Sequence, residues 1–153
     1  QPSKTILDHE LQLNADQFLP TSAGLIPTGK KEQVHKTPMD FTRPTRIGER
    51  IKDPFEPLKF GNGYDHCWVI REGEELKIAA IVHDPDSGRI LEVKTDQPGL
   101  QFYSGNFLPQ KFTGLCLETQ AFPDSPNQSD FPDTILRPGE TYTHTCVFKF
   151  STR

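Results

Sequence analysis

The chain has 153 residues, enough for a single domain with a buried core. Only 33% of them are hydrophobic, and the chain carries 14 prolines and 11 glycines, a balance that favours short strands and turns over a helical bundle. A net charge of −4 leaves no basic footprint for nucleic acid or an anionic membrane, and the longest apolar runs, such as Ile78-Ala79-Ala80-Ile81-Val82, are far too short to cross a bilayer. Three cysteines, Cys67, Cys116 and Cys146, are an odd number without metal-ligand spacing, which points to reduced thiols and a cytoplasmic setting rather than a disulfide scaffold. The opening residues, Gln1-Pro2-Ser3-Lys4, hold neither an initiator Met nor a signal peptide, so the sequence is expected to be trimmed or to begin part-way through a longer protein.

In chain order, Ile6 to Leu13 alternates with a period of two, Leu7, His9, Leu11 and Leu13 on one side, and predicts a half-buried strand. A turn-rich stretch with Pro20, Gly24, Pro27 and Gly29 follows. The proline-punctuated segment from Lys36 to Phe60 then reads as an ordered loop with at most one short helix, near Arg46 to Ile51. Gly61-Asn62-Gly63 marks a turn before a strand at Tyr64 to Ile70. The acidic run Glu72-Gly73-Glu74-Glu75 reads as an exposed loop tip. Strands at Leu76 to His83 and Arg89 to Thr95 flank Asp84-Pro85-Asp86-Ser87-Gly88, which has hairpin-turn chemistry. Gly99 to Ser104, Gly114 to Gln120 and Thr141 to Phe150 complete the set, the last with Tyr142, Cys146, Phe148 and Phe150 on one face. The fold class that follows is all-β and antiparallel, a sandwich.

No phosphate-binding glycine loop, zinc pattern or nucleophile elbow is present. A small polar set stands out instead. Glu118 sits mid-strand, opposite in face to Leu115 and Leu117, on either a solvated face or a functional cleft, because a carboxylate buried without partners is expensive. Asp65 follows a glycine-rich turn and reads as a cap or a cleft residue; Gln101, in Leu100-Gln101-Phe102-Tyr103, reads as an outward strand residue or a cleft contact. Asp84 and Asp86 lack the ligand pattern of a calcium loop and read as turn residues. His9, His83 and His144 read as packed or solvated strand histidines. Asn127-Gln128-Ser129 matches a glycosylation sequon, expected to be unmodified beside reduced thiols.

Taken together, eight stretches resemble the aldose 1-epimerase family, in the family's order and over nearly the whole chain. They are Ile6 to Asp16, Leu25-Ile26-Pro27-Thr28-Gly29, Gly63-Tyr64-Asp65-His66, Ser87 to Val93, Gln97 to Asn106, Gly114 to Gln120, Phe122 to Gln128 and Leu136 to Tyr142. The resemblance implies a galactose mutarotase-like supersandwich, of which residues 1–153 would be the C-terminal portion of one domain. It also implies interconversion of the α and β anomers of free hexoses such as galactose or glucose, with no cofactor and no metal. By motif, Glu118 matches the catalytic base, Asp65 a carboxylate that binds sugar hydroxyls, and Gln101 a polar contact in the cleft.

Two departures from the family follow. The family's acid histidine belongs to a segment expected upstream of Gln1, so the chain holds the base without the acid, and Phe107 to Gly114 is shorter than the family's loop. The expected partners are therefore an aldohexose and an N-terminal half of the same enzyme or a second chain, with neither nucleic acid nor membrane. A non-catalytic carbohydrate-binding module is the alternative, its cleft formed by Asp65, Gln101 and an aromatic wall from Trp68, Phe102 or Tyr103. A third reading, glycoside hydrolysis, would need Asp65 and Glu118 at a suitable separation.

Overall fold

Alternation of apolar and polar side chains becomes strand pairing in the computed structural model, which describes residues 4–73 and 75–153. Ten strands lie among the described residues: β1 Glu10–Leu13, β2 Ala15–Leu19, β3 Glu32–Gln33, β4 Thr45–Arg46, β5 Asp65–Ile70, β6 Lys77–His83, β7 Arg89–Thr95, β8 Gly99–Tyr103, β9 Cys116–Gln120 and β10 Cys146–Thr152. They form two antiparallel five-stranded sheets, ordered β10-β7-β6-β1-β4 and β3-β2-β5-β8-β9. One short helix, α1 (Glu56–Gly61), and 3-10 turns at Ile47–Glu49 and Ser125–Asn127 lie in the connections. No helix of the described residues is long and apolar enough to cross a membrane.

The sheets close on one core, as the expected all-β sandwich requires. Leu11, Leu13, Ala80, Val82 and Val93 come from the first sheet, and Phe18, Trp68, Leu100, Phe102 and Leu117 from the second. The 36–60 segment closes the gap between them. Its Phe41 ring meets Tyr64 at 5.1 Å and Trp68 and Phe102 at 6.0 Å. The buried aromatics keep their polar ends satisfied: Trp68 Nε1 donates to the Met39 carbonyl at 3.0 Å and the Tyr64 hydroxyl to the Pro38 carbonyl at 3.1 Å.

Several elements differ from the sequence reading, each for a local reason. The first strand begins at Glu10 rather than Ile6, because the His9 N–H turns back to the Ile6 carbonyl at 3.1 Å. Strand β2 escapes a period-two reading because its register shifts between Ala15 and Gln17, which breaks the alternation. Helix α1 stands among prolines that read as breakers. Pro57 falls in its first turn, where a missing N–H is harmless, and Asn62, in the left-handed conformation at φ 53°, ends it. The acidic loop tip has exposed Glu72, Gly73 and Glu75, while Glu74 lies outside the described residues, as do Gln1, Pro2 and Ser3.

The last strand begins at Cys146 rather than Thr141 and pairs along its full length with β7, from Cys146↔Thr95 to Thr152↔Arg89. Its predicted apolar face is uncovered: Phe148 is 51% and Phe150 76% exposed. The segment before it, with Ile135, Leu136 and Tyr142, is exposed too and borders an open hollow of about 790 Å³.

Candidate functional site

Cross-strand register, not chain proximity, assembles the candidate residues. Leu19, Cys67, Gln101 and Glu118 lie directly opposite one another across β2, β5, β8 and β9. The next row holds Asp65, Tyr103 and Cys116. Successive strand residues point to opposite faces, so these two rows share the outer face of the sheet, while His66, Trp68, Leu100, Phe102 and Leu117 point into the core. Neighbouring strands stand about 4.8 Å apart and the rows about 7 Å apart, which brings Asp65, Gln101 and Glu118 within the span of a small ligand.

Gln101 links the set. Its Nε2 donates to Asp65 Oδ1 at 2.9 Å, while its Oε1 is buried without a hydrogen-bond partner among the described residues. A buried acceptor with no donor is costly, and a ligand hydroxyl would satisfy it. Glu118 is exposed on the edge strand, and its side chain makes no hydrogen bond or ion pair within the described residues. Together they border a hollow of about 210 Å³, walled by Leu25 and Pro27 on one side and Pro123 on another. The far end of the same sheet face is covered by Phe122 and Phe131, which pack on Leu19 and Cys67. Gly99 makes that packing possible: a Cβ there would lie 2.9 Å from Cys67 Sγ and 3.0 Å from the Gln120 carbonyl.

The neighbouring thiols are poor nucleophiles. Burial pushes Cys67 up to about 12. Cys116 is also raised, by burial first and then by the charges of Glu118 and Asp65. None of the imidazoles faces Glu118. His66 borders the hollow, yet alternation turns its ring inward, edge-on to Phe18 and Trp68. Its Nδ1 accepts the Asp65 N–H at 3.0 Å, and burial pushes its pKa down to about 4. His9 sits 3.8 Å from Asp84, His35 3.8 Å from Asp40, and His83 beside Glu10 and Arg153. His144 meets Thr119 at 2.9 Å, a residue that faces away from Glu118. Among the described residues no group of three or more His, Cys, Asp or Glu is placed to hold a metal ion. Asp84 accepts from the Asp86 N–H and the Ser87 hydroxyl, which makes it a turn cap.

Two aromatic expectations need correction. Trp68 and Phe102 are fully buried in the core, so neither walls the cleft; the alternation that puts Asp65 and Gln101 outside puts them inside. Tyr103 does share the cleft face, and the ring it meets is Phe107, which the sequence reading passed over because a loop residue has no periodicity to announce it. Gln101 stands between Asp65 and Glu118 in the sheet, in register with Glu118 and hydrogen-bonded to Asp65.

Comparison with known proteins fits this geometry. The sandwich is galactose mutarotase-like: it superposes on the solved structure of an aldose epimerase homologue from C. elegans with a TM-score of 0.88 at 28% identity, covering 99% of this chain and 48% of that one. The family model for aldose 1-epimerase matches residues 1–149, and the chain belongs to the aldose 1-epimerase family. It is 46% identical over 162 aligned positions to the galactose mutarotase of Mus musculus, covering 99% of this chain and 46% of that protein. It is 37% identical over 158 positions to the aldose 1-epimerase of Escherichia coli, covering 95% of this chain and 45% of the relative. The chain therefore spans about half the length of the curated relatives it matches. The 162 positions exceed the chain's 153 residues, so the mouse protein carries residues that this chain lacks.

Proposed function

We propose that this chain supplies the base side of an aldose 1-epimerase site, acting on a free aldohexose such as galactose or glucose without a cofactor. The observation that carries the reading is the shared sheet face of Glu118, Gln101 and Asp65, with a buried, unpartnered acceptor on Gln101. In this reading the Glu118 carboxylate takes the proton of the anomeric hydroxyl while an acid gives a proton to the ring oxygen. The C1–O5 bond breaks, the C1–C2 bond rotates, and reclosure reverses both transfers and gives either anomer. Asp65 and Gln101 hold the other hydroxyls, so that the reacting atoms stay within hydrogen-bond reach of the base.

The acid comes from outside this set, since none of the chain's imidazoles faces Glu118. We assign it to the complementary, N-terminal half of an aldose 1-epimerase domain, of which residues 1–153 form the C-terminal portion. Supporting this are the share of its relatives that the chain spans and the uncovered apolar faces of β10. The three free thiols favour the cytoplasm as its setting.

Polarimetry of freshly dissolved α-D-galactose tests the reading. The 153-residue chain alone is expected to match a buffer blank, and addition of the N-terminal half of a relative to accelerate anomer exchange. In that mixture Glu118→Gln should lower the rate by about 10²–10⁴-fold. A mixture that keeps its full rate after Glu118→Gln would rule out Glu118 as the base. The lack of an imidazole beside Glu118 also favours a second reading, a non-catalytic carbohydrate-binding module. Under it the chain binds galactose without accelerating exchange in any mixture, and Glu118→Gln keeps most of the affinity.

A further inference from the structure

Gln101 Oε1 is not the sole orphaned polar atom beside the hollow. Among the described residues, Thr21 Oγ1 is also buried without a hydrogen-bond partner, and Thr21 borders the same 210 Å³ hollow as Asp65, Gln101 and Glu118. A third such atom, His66 Nε2, belongs to a ring that faces the core. A buried hydroxyl that bonds nothing is costly, so Thr21 calls for a partner that the chain itself does not supply.

The backbone holds Thr21 at the site. It lies two residues past the end of β2, and the antiparallel register that pairs Leu19 with Cys67, continued by two residues, sets Thr21 opposite Asp65 on the cleft face. A bridge to Pro27 folds the chain back at once. The Ser22 N–H donates to the Ile26 carbonyl and the Thr28 N–H to the Pro20 carbonyl, both at 2.9 Å. This tight hairpin turns Thr21, Leu25 and Pro27 toward one hollow.

Counting donors gives the hydroxyl its task. The Asp65 and Glu118 carboxylates accept, and Gln101 spends an amide N–H on Asp65 while its Oε1 is a further acceptor. A sugar hydroxyl that donates to one of these still has lone pairs to satisfy, and acceptors cannot meet them. The Gln120 amide also borders the hollow, but two residues beyond Glu118, on the side away from Asp65. We propose that Thr21 is a further sugar-binding residue, whose hydroxyl donates to the same ring hydroxyl that donates to Asp65. One χ1 step turns Oγ1 toward that oxygen. The sugar oxygen then gives one hydrogen bond and takes one, so Thr21 selects for a hydroxyl at that carbon.

This inference rests on the sugar-cleft reading of the site, and titration calorimetry of the 153-residue chain separates the two. The probes are D-glucose and its monodeoxy analogues that keep the anomeric hydroxyl. Thr21→Val keeps the branched shape and removes the hydroxyl, so D-glucose should bind about threefold to tenfold more weakly. For one monodeoxy sugar, the one lacking the hydroxyl shared with Asp65, the variant and the unaltered chain should bind alike. Thr21→Ser, which restores the hydroxyl, should bind D-glucose like the unaltered chain. The melting temperature of the sugar-free Thr21→Val chain should hold or rise, because no internal hydrogen bond is lost. An equal penalty on every sugar, no penalty on D-glucose, or a lowered melting temperature overturns the role of Thr21 and leaves the cleft reading standing. If the unaltered chain binds none of the sugars, both fall.

Discussion

Strands β8 and β10 carry similar alternation and meet opposite fates. In β8, Leu100 and Phe102 are wholly buried while Gln101 and Tyr103 face the cleft. In β10, Cys146, Phe148 and Phe150 repeat the apolar half of that pattern, yet only Cys146 is half-buried against the core, and Phe148 and Phe150 are exposed. The difference lies in the neighbours. Strand β8 has β5 and β9 on its two edges and a second sheet over its inner face, whereas β10 is an edge strand that pairs, among the described residues, with β7 alone. Periodicity records which side chains share a face, and only the rest of the molecule decides whether that face is covered.

Stability measurements can break this comparison. Trp68→Ala removes a fully buried ring from the core and should cost about 3–5 kcal/mol in urea unfolding of the chain, while Phe150→Ala should cost less than about 0.5 kcal/mol. A Phe150→Ala penalty close to that of Trp68→Ala would mean that the β10 face is covered in solution.

Acid sharpens the contrast between the cleft strand and its surroundings. The folded pKa of His66, about 4, lies below its ordinary 6.5, so as pH falls the unfolded chain takes up the proton first. Stability from this group is fully present above about pH 6.5. It falls by roughly 3 kcal/mol as pH drops toward 4, then levels off. Protonation would also fill Nδ1 and release the Asp65 N–H, so acid loosens the cleft from its core side. Urea unfolding across that range and an NMR titration of the His66 ring check this together; a ring that titrates near 6.5 would remove the effect.

A smaller change probes the packing beneath the site. Gly99→Ala should cost about 1–3 kcal/mol, because its Cβ would press on Cys67 Sγ, the Gln120 carbonyl and the Phe122 ring. A thermal melt measures the cost. An unchanged melting temperature would show that Cys67 and Phe122 give way freely and that Gly99 does not fix the floor beside Gln101.

Much of this was legible in order along the chain. The strand pattern from Tyr64 to Tyr103, preceded by the Gly61-Asn62-Gly63 turn and broken by Asp84 to Gly88, places β5 to β8 within a residue or so of where they lie. The resemblance singles out Asp65, Gln101 and Glu118 before any contact is known. Less legible were β2, whose bulge interrupts the period, and α1, whose Pro57 reads as a breaker until its place in the first turn is known. The aromatic wall was misread for the same kind of reason: Trp68 and Phe102 have the size and chemistry of sugar-stacking residues, but strand parity turns both inward.

By itself the amino-acid order determined the all-β class, the family and the three polar residues of the candidate site, because strand period, turn chemistry and motif are local properties of the chain. Tertiary structure alone decided that Gln101 meets Asp65 across a 36-residue separation, that His66 serves the core rather than the cleft, that Phe107 stacks on Tyr103, and that β10 stands uncovered. Each of these depends on which strands lie side by side and what packs on them, and contacts between distant residues are fixed only when the sheets close on a common core.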